Sequence, residues 1–231
     1  MNALLMPVVA VQGLWVRSRT ERLPEASGPA GGAAGEGAGP PVRLAVLGES
    51  TAAGCGVGTH DEGFPGCLAR ELAARDRRPV TWEVVGQNTA TAHRIRHRLL
   101  PRLGGGLDVA VLLAGVNDVL TRRDPRQWGE DLAAIVDGLG ERAAHVAVTG
   151  IPPFEAFPSL PGALGRYLAR RADALDEVSR RVCERAGATW VGSGGIVPEP
   201  VDPDFFARDR FHPSASGYRR WAGAVAGHLA F

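Results

Sequence analysis

From Val42 onward, short runs of apolar, mostly β-branched residues alternate with longer segments of helical periodicity. The short runs are Val42–Leu47 (VRLAVL), Val80–Val85 (VTWEVV), Asp108–Leu113 (DVAVLL), His145–Thr149 (HVAVT) and Ala188–Val191 (ATWV), and each predicts a strand. Between them the spacing predicts helices over Cys67–Arg75, Ala92–Leu100, Trp128–Leu139 and Leu164–Ala186, with a last one over Ser214–Leu229. Leu132, Ile135, Val136 and Leu139 repeat at i, i+3, i+4 and i+7, the stripe of a helix with one buried face. Strands alternating with crossover helices imply an α/β fold whose parallel sheet is covered on both sides. In open sheets of this kind ligands bind beyond the carboxyl ends of the strands, which directs attention to the residues after each strand.

The first 41 residues follow a different pattern. Ala3–Val16 (ALLMPVVAVQGLWV) is apolar but too short for the roughly 20 residues of a membrane-spanning helix. No positive charge precedes it, whereas Arg17, Arg19 and Arg22 follow it, the reverse of a secretory signal. Two readings stay open: a helix packed on the body of the protein, or peripheral membrane contact through residues 3–22 with Trp15 and the arginines at the interface. Gly28–Pro41 (GPAGGAAGEGAGPP) has the composition of a flexible linker. The expected organisation is therefore an amino-terminal segment (1–23), a linker (24–41) and a single α/β domain (42–231).

Composition removes several chemistries. All 26 basic residues are arginines, so a Schiff-base lysine, a lysine-bearing phosphate loop and a Ser-Lys pair are excluded. A net charge of +1 argues against nucleic acid as a partner. Cys55, Cys67 and Cys183 make an odd number at no metal-ligand spacing, which speaks against a disulfide framework and favours a reducing, cytoplasmic setting.

After the first strand comes Gly48-Glu49-Ser50-Thr51-Ala52-Ala53-Gly54. A serine in a glycine-flanked strand-to-loop turn can present its hydroxyl at the sheet edge, although Ala52 breaks the G-x-S-x-G pattern. Near the carboxyl end lies Asp209-Arg210-Phe211-His212-Pro213-Ser214, where Pro213 suits the first turn of the final helix. A serine hydroxyl needs a base, and an imidazole base needs a partner that fixes its tautomer; His212 and Asp209 offer both. After the third strand, Asn117 in Ala114-Gly115-Val116-Asn117-Asp118 can aim an amide at a developing oxyanion. The second strand ends in another polar turn, Gly86-Gln87-Asn88-Thr89-Ala90-Thr91. Each motif alone also reads as ordinary turn or capping chemistry.

Together the four blocks resemble those of the SGNH/GDSL hydrolases over roughly Val42 to Phe231, in that family's order: GESTAAG, GQNTAT, GVND and DRFHP. The resemblance implies a three-layer flavodoxin-like sandwich with a five-stranded parallel sheet and ester chemistry without cofactor or metal. It makes Ser50 the nucleophile, His212 the base and Asp209 its orienter, with Asn117 and the N–H of Ser50 as oxyanion donors. Glu49 stands where the family carries Asp. The glycine of the family's second block aligns with Thr89, or alternatively with Gly86. A β-branched residue disfavours positive φ, so Thr89 is expected to use an ordinary backbone conformation or to displace that donor.

His93 and His97 sit at i, i+4 with no third ligand evident in the sequence, and read as a solvated helix face. Ile151–Pro161 is Pro-rich and apolar, so Phe154, Phe157 and Leu160 are candidate acyl-pocket residues or else parts of a rigid packed loop. The substrate implied is a small-molecule or lipid-like ester, with oligomeric state open. An acyltransferase with the same triad, or a non-catalytic binding module on the same fold, stands beside the esterase reading.

Overall fold

The computed structural model describes residues 6–194, 196–197 and 201–230. Ala3, Leu4 and Leu5 of the amino-terminal stretch lie outside the described residues, as does Phe231.

Five parallel strands form where the short apolar runs predict them: β2 (Val42–Gly48), β3 (Val80–Gly86), β4 (Leu107–Leu113), β5 (Ala143–Thr149) and β6 (Thr189–Val191). A sixth, β1 (Gly31–Ala34), precedes them, and the sheet order is β1-β3-β2-β4-β5-β6. The sheet therefore has six strands where the sequence led us to expect five, because the stretch read as a flexible linker lays an antiparallel edge strand against β3. Low complexity here serves close approach. A Cβ at Gly32 would stand 2.8 Å from Trp82 Cζ2, so only glycine lets this strand lie over the indole. The preceding residues are anchored too, through Ala26 N–H to Ala53 O (2.9 Å) and Asn88 N–H to Glu25 Oε1 (2.6 Å).

The inner strands are buried on both faces. In β2, Leu44 and Val46 pack into the layer formed by α2 (Phe64–Asp76) and α7 (Ala215–Ala226), while Ala45 and Leu47 enter the layer formed by α5 (Pro125–Gly140) and α6 (Gly162–Ala186). Such two-sided burial is what a near-continuous apolar strand requires. Helix α5 opens on Asp124, whose side chain accepts the Arg126 N–H, followed by Pro125 in the first turn. Helix α6 stops at Gly187 in the left-handed conformation.

Two elements depart from expectation in ways that touch the site. The helix expected over Ala92–Leu100 begins as α3 (Ala92–Arg94), then widens into a π-turn over Ile95–Leu99 and a 3-10 turn over Leu100–Arg102. A short helix, α4 (Val116–Leu120), forms from the Gly-Val-Asn-Asp block itself. The amino-terminal stretch is a helix, α1 (Met6–Arg19), which packs on α6. Val9 is buried on its inner side, and Gln12 Oε1 accepts the N–H of Leu164 at 3.0 Å, capping the start of α6. No helix among the described residues is long and apolar enough to cross a membrane.

Candidate active site

Strand β2 lies between β3 and β4, so consecutive connections leave it in opposite directions and a crevice opens at its carboxyl end. Ser50 stands there, two residues past Gly48, which pairs with Gly86 on one side and Leu113 on the other. The turn after Ser50 is tightened by Ala53 N–H to Glu49 O (2.9 Å) and Cys55 N–H to Ser50 O (3.0 Å).

His212 reaches this point from the other end of the chain. Its Nε2 is 3.1 Å from Ser50 Oγ, and its Nδ1 is 2.6 Å from Asp209 Oδ2. The turn that carries it is held by Asp209, whose Oδ1 accepts the N–H groups of Phe211 and His212, both at 3.0 Å. Pro213 lies outside the final helix rather than in its first turn. Ser214 is the cap, accepting the Gly217 N–H at 3.1 Å, and Pro213 bridges to Phe206. His212 is thus set by a loop closed on Asp209 and not by a helical turn. Burial works to raise the Asp209 carboxyl, but the hydrogen bonds from His212 and Phe211 hold it below the usual carboxylate range. Arg210, between the two, is exposed and left-handed at φ 58°.

Glu49 occupies the floor. It is 2% exposed, and its carboxylate accepts three N–H groups: Val116 N at 3.0 Å on Oε1, with Asn117 N at 3.1 Å and Asn117 Nδ2 at 2.7 Å on Oε2. Burial outweighs these donors and pushes its pKa up to about 8. The Asn117 amide also donates to Ala90 O at 3.1 Å, so both of its hydrogens have acceptors. The family blocks gave no sign of this clasp, because sequence shows only that Glu49 and Asn117 each follow a strand. Asp118 adds a second tie: its Oδ2 accepts the Ala92 N–H at 2.8 Å, joining α4 to α3. Burial raises that carboxyl to about 6.

Backbone geometry places the two second-block candidates differently. Gly86 packs directly against the backbone of Ala52 and Ala53, behind the serine turn, where a Cβ would collide. Thr89 instead lines the groove beside Ser50 and Asn117. It adopts φ 63°, contrary to the expectation of an ordinary conformation. Gln87 and Ala90 close a turn around it at 3.2 Å, with positive φ at the third position, where glycine is favoured. The turn and the Asn88–Glu25 bond over-determine the backbone, so threonine accepts the strain. Neither the N–H of Ser50 nor that of Thr89 finds an acceptor among the described residues. Thr89→Gly is expected to raise the melting temperature by about 2 °C, since relief of ~1–2 kcal/mol of left-handed strain exceeds the added chain entropy of glycine. Thermal unfolding monitored by circular dichroism measures it.

The apolar loop after β5 divides its three candidates. Leu160 lines the main groove, and Phe157 lines a small recess beside Ser50 and His212, its ring tilted against Phe211 at 5.0 Å and Phe206 at 5.4 Å. Phe154 lines neither: it is fully buried, 5.4 Å beneath Phe157, and belongs to the core. Phe211, inside the DRFHP block, also lines the recess, as do Phe206 and Trp221, which no motif announces. The main groove has a volume of about 980 Å3, and its outer wall is α1, through Val9, Gly13, Leu14 and Val16.

Other side chains are accounted for structurally. Asp131 on α5 stands with His93 and His97, their ligand atoms within 4.8 Å, and so supplies the neighbour that sequence spacing did not show. That carboxylate already holds Arg123 at 2.5 Å and Arg96 at 3.3 Å, two cations that oppose a dication at the same oxygens. The three cysteines are free and buried, and burial pushes the Cys55 thiol up to about 12, far from a nucleophile's range.

A doubly wound sheet with a hydrogen-bonded serine, histidine and aspartate at its switch point is the arrangement expected of an SGNH hydrolase. Comparison with known proteins agrees. Residues 46–220 match the model of the GDSL-like Lipase/Acylhydrolase family, and the chain belongs to that family. Among solved structures it is similar to TesA (22% identity, 81% of this chain and 97% of that one, TM-score 0.63). It also resembles LAE5, an alpha/beta hydrolase enzyme from the metagenome of Lake Arreo, Spain (24%, 82% and 97%, 0.59). A third is the acetylxylan esterase Axe2 from Geobacillus stearothermophilus (17%, 84% and 96%, 0.61). No curated protein sequence matches the chain.

Proposed function

We propose that the protein is a serine carboxylester hydrolase. The observation that carries this reading is the unbroken chain from Ser50 Oγ through His212 to Asp209 at 3.1 and 2.6 Å. With Asp209 ionised, His212 Nδ1 carries its proton toward that carboxylate, and Nε2 is the free acceptor that Ser50 needs. Ser50 Oγ attacks the ester carbonyl as its proton passes to Nε2. The same proton then goes to the departing alkoxide, leaving an acyl-serine. Water, deprotonated by His212, releases the acid and restores Ser50.

The negative charge on the tetrahedral carbonyl oxygen falls to three donors: the N–H of Ser50, the N–H of Thr89 and the amide of Asn117. Two of these N–H groups are unengaged. Asn117 exchanges its longer bond, to Ala90 O, for the oxyanion, while Glu49 keeps the amide aimed. An acyltransferase would use the same groups with an alcohol in place of water.

Treatment of the folded protein with a fluorophosphonate probe tests this. A covalent adduct on the wild type that disappears in Ser50→Ala is the expected result. Absence of a Ser50-dependent adduct leaves a non-catalytic ligand-binding module as the reading.

A further inference from the structure

The exposed apolar side chains of this molecule are concentrated. Seven large hydrophobic residues are exposed among the described residues, and five of them lie on α1: Met6, Val8, Val11, Leu14 and Trp15. A sixth, Leu120 on α4, lines the same groove that α1 walls. Val11 and Leu14 are 66% and 70% exposed, well beyond incidental surface exposure for residues this apolar.

This exposure does not come from a loosely attached helix. Val9 is buried, Gln12 caps α6, and Leu23 is buried just beyond the helix end. The helix is held by one face, and its opposite face is presented outward. Its charge is one-sided as well. Residues 6–19 contain no acidic side chain, and Arg17, Arg19 and Arg22 are all exposed at its carboxyl end. The nearest acid, Glu21, is already paired with Arg208 at 2.9 Å. The Arg19 guanidinium lies 5.1 Å from the centre of the Trp15 ring, so an aromatic ring and a cation share one level at the end of the apolar face.

We propose that the outer face of α1 docks on the surface of an anionic phospholipid bilayer, with Val8, Val11 and Trp15 in the acyl boundary, Leu14 at the edge shared with the groove, and the arginines among the headgroups. An exposed apolar helix surface that ends in a tryptophan and arginines suits the boundary between acyl chains and anionic headgroups. Fourteen residues at 1.5 Å each give about 21 Å, too short to span the hydrocarbon and long enough to lie along it. A second copy of the chain is a poorer occupant, because pairing α1 with itself would bring six arginines together without a matching acid.

Docking there has a consequence for the chemistry, and at this point the inference rests on the esterase reading. The inner side of the same helix walls the groove that reaches Ser50 and His212. Leu14 and Leu120 are both exposed and both line that groove, so a bilayer on the outer face lies beside its opening, and the substrate it supplies is an ester taken from the lipid.

The test is flotation of the full chain with vesicles of phosphatidylcholine alone and of phosphatidylcholine mixed with phosphatidylglycerol. The wild type is expected to float with the mixed vesicles, less so in high salt, and to stay behind with phosphatidylcholine alone. Val11→Glu/Trp15→Glu, neither of which lines the groove, should reduce flotation at least tenfold while hydrolysis of a soluble short-chain ester is unchanged. Arg19→Gln should reduce it by a smaller factor. Wild type that remains in the aqueous phase, or that floats equally with both vesicles, overturns the proposal. So does a dimer in light scattering that Val11→Glu/Trp15→Glu converts to monomer without any flotation. Ser50→Ala should float like the wild type, so loss of the chemistry and loss of docking are read separately.

Discussion

Asp209→Asn should lower kcat about 10^4-fold while leaving Ser50 in place and the fold intact. The reason lies in how the two carboxylate oxygens are used. Oδ1 accepts the N–H groups of Phe211 and His212, and Oδ2 faces His212 Nδ1. In the variant, the asparagine carbonyl keeps the two backbone donors, because an NH2 group in that position would meet two N–H groups. The amide nitrogen is then directed at Nδ1, which must become an acceptor. The ring proton moves to Nε2, and Ser50 loses its base. KM for a short-chain ester should change little, since the groove walls are untouched. A drop smaller than tenfold would show that His212 does not depend on Asp209. Stability gives a second reading of the same contact. The Asp209 carboxyl is held below its ordinary value of 3.8, so the folded state binds that proton less tightly than the unfolded state does. Its stabilisation is present above that value and is lost as pH falls through the lower folded-state value. The difference in melting temperature between wild type and Asp209→Asn should therefore be constant at neutral pH and shrink in acid.

The parts legible in the sequence are those written in local pattern. Strands buried on both faces must be continuous apolar runs, and the five runs from Val42 to Val191 became the five parallel strands. Residues after strands β2, β3 and β4 share one edge in any such sheet, so the sequence alone brings Ser50, Thr89 and Asn117 together. What escaped depends on contacts between segments distant in sequence. Gly31–Ala34 reads as linker because glycine composition does not tell flexibility from a close approach to Trp82. Helix α1 carries apolar residues on all sides, so its periodicity does not say which side is covered; the Gln12–Leu164 bond settles that. Phe154 and Phe157 sit three residues apart in one loop and are chemically equivalent in sequence, yet one is core and the other wall. Thr89 is the opposite case, a residue whose local preference argued against the conformation it holds. The closed turn from Gln87 to Ala90 overrides that preference.

Asn117→Ala is expected to lower kcat about 20- to 150-fold, less than removal of an oxyanion donor commonly costs. Such a donor is worth roughly 2.7–4 kcal/mol when it is free to act. Here the amide begins with both hydrogens engaged, one on Glu49 Oε2 and one on Ala90 O. Stabilising the oxyanion means releasing Ala90 O, a neutral bond with a net worth of about 1 kcal/mol. The difference, about 1.7–3 kcal/mol, sets the expected range. Glu49 should behave as a positioning residue acting through this amide. Glu49→Ala removes both oxygens to which Val116 and Asn117 now donate, so the amide loses its aim and kcat falls without a matching rise in KM. If Glu49 acts only by aiming Asn117, the double variant should be little slower than Asn117→Ala alone, a non-additivity that a double-mutant cycle measures directly. Additive losses would instead mean that Glu49 reaches the reaction by a second route, through the Val116 N–H that sets the start of α4.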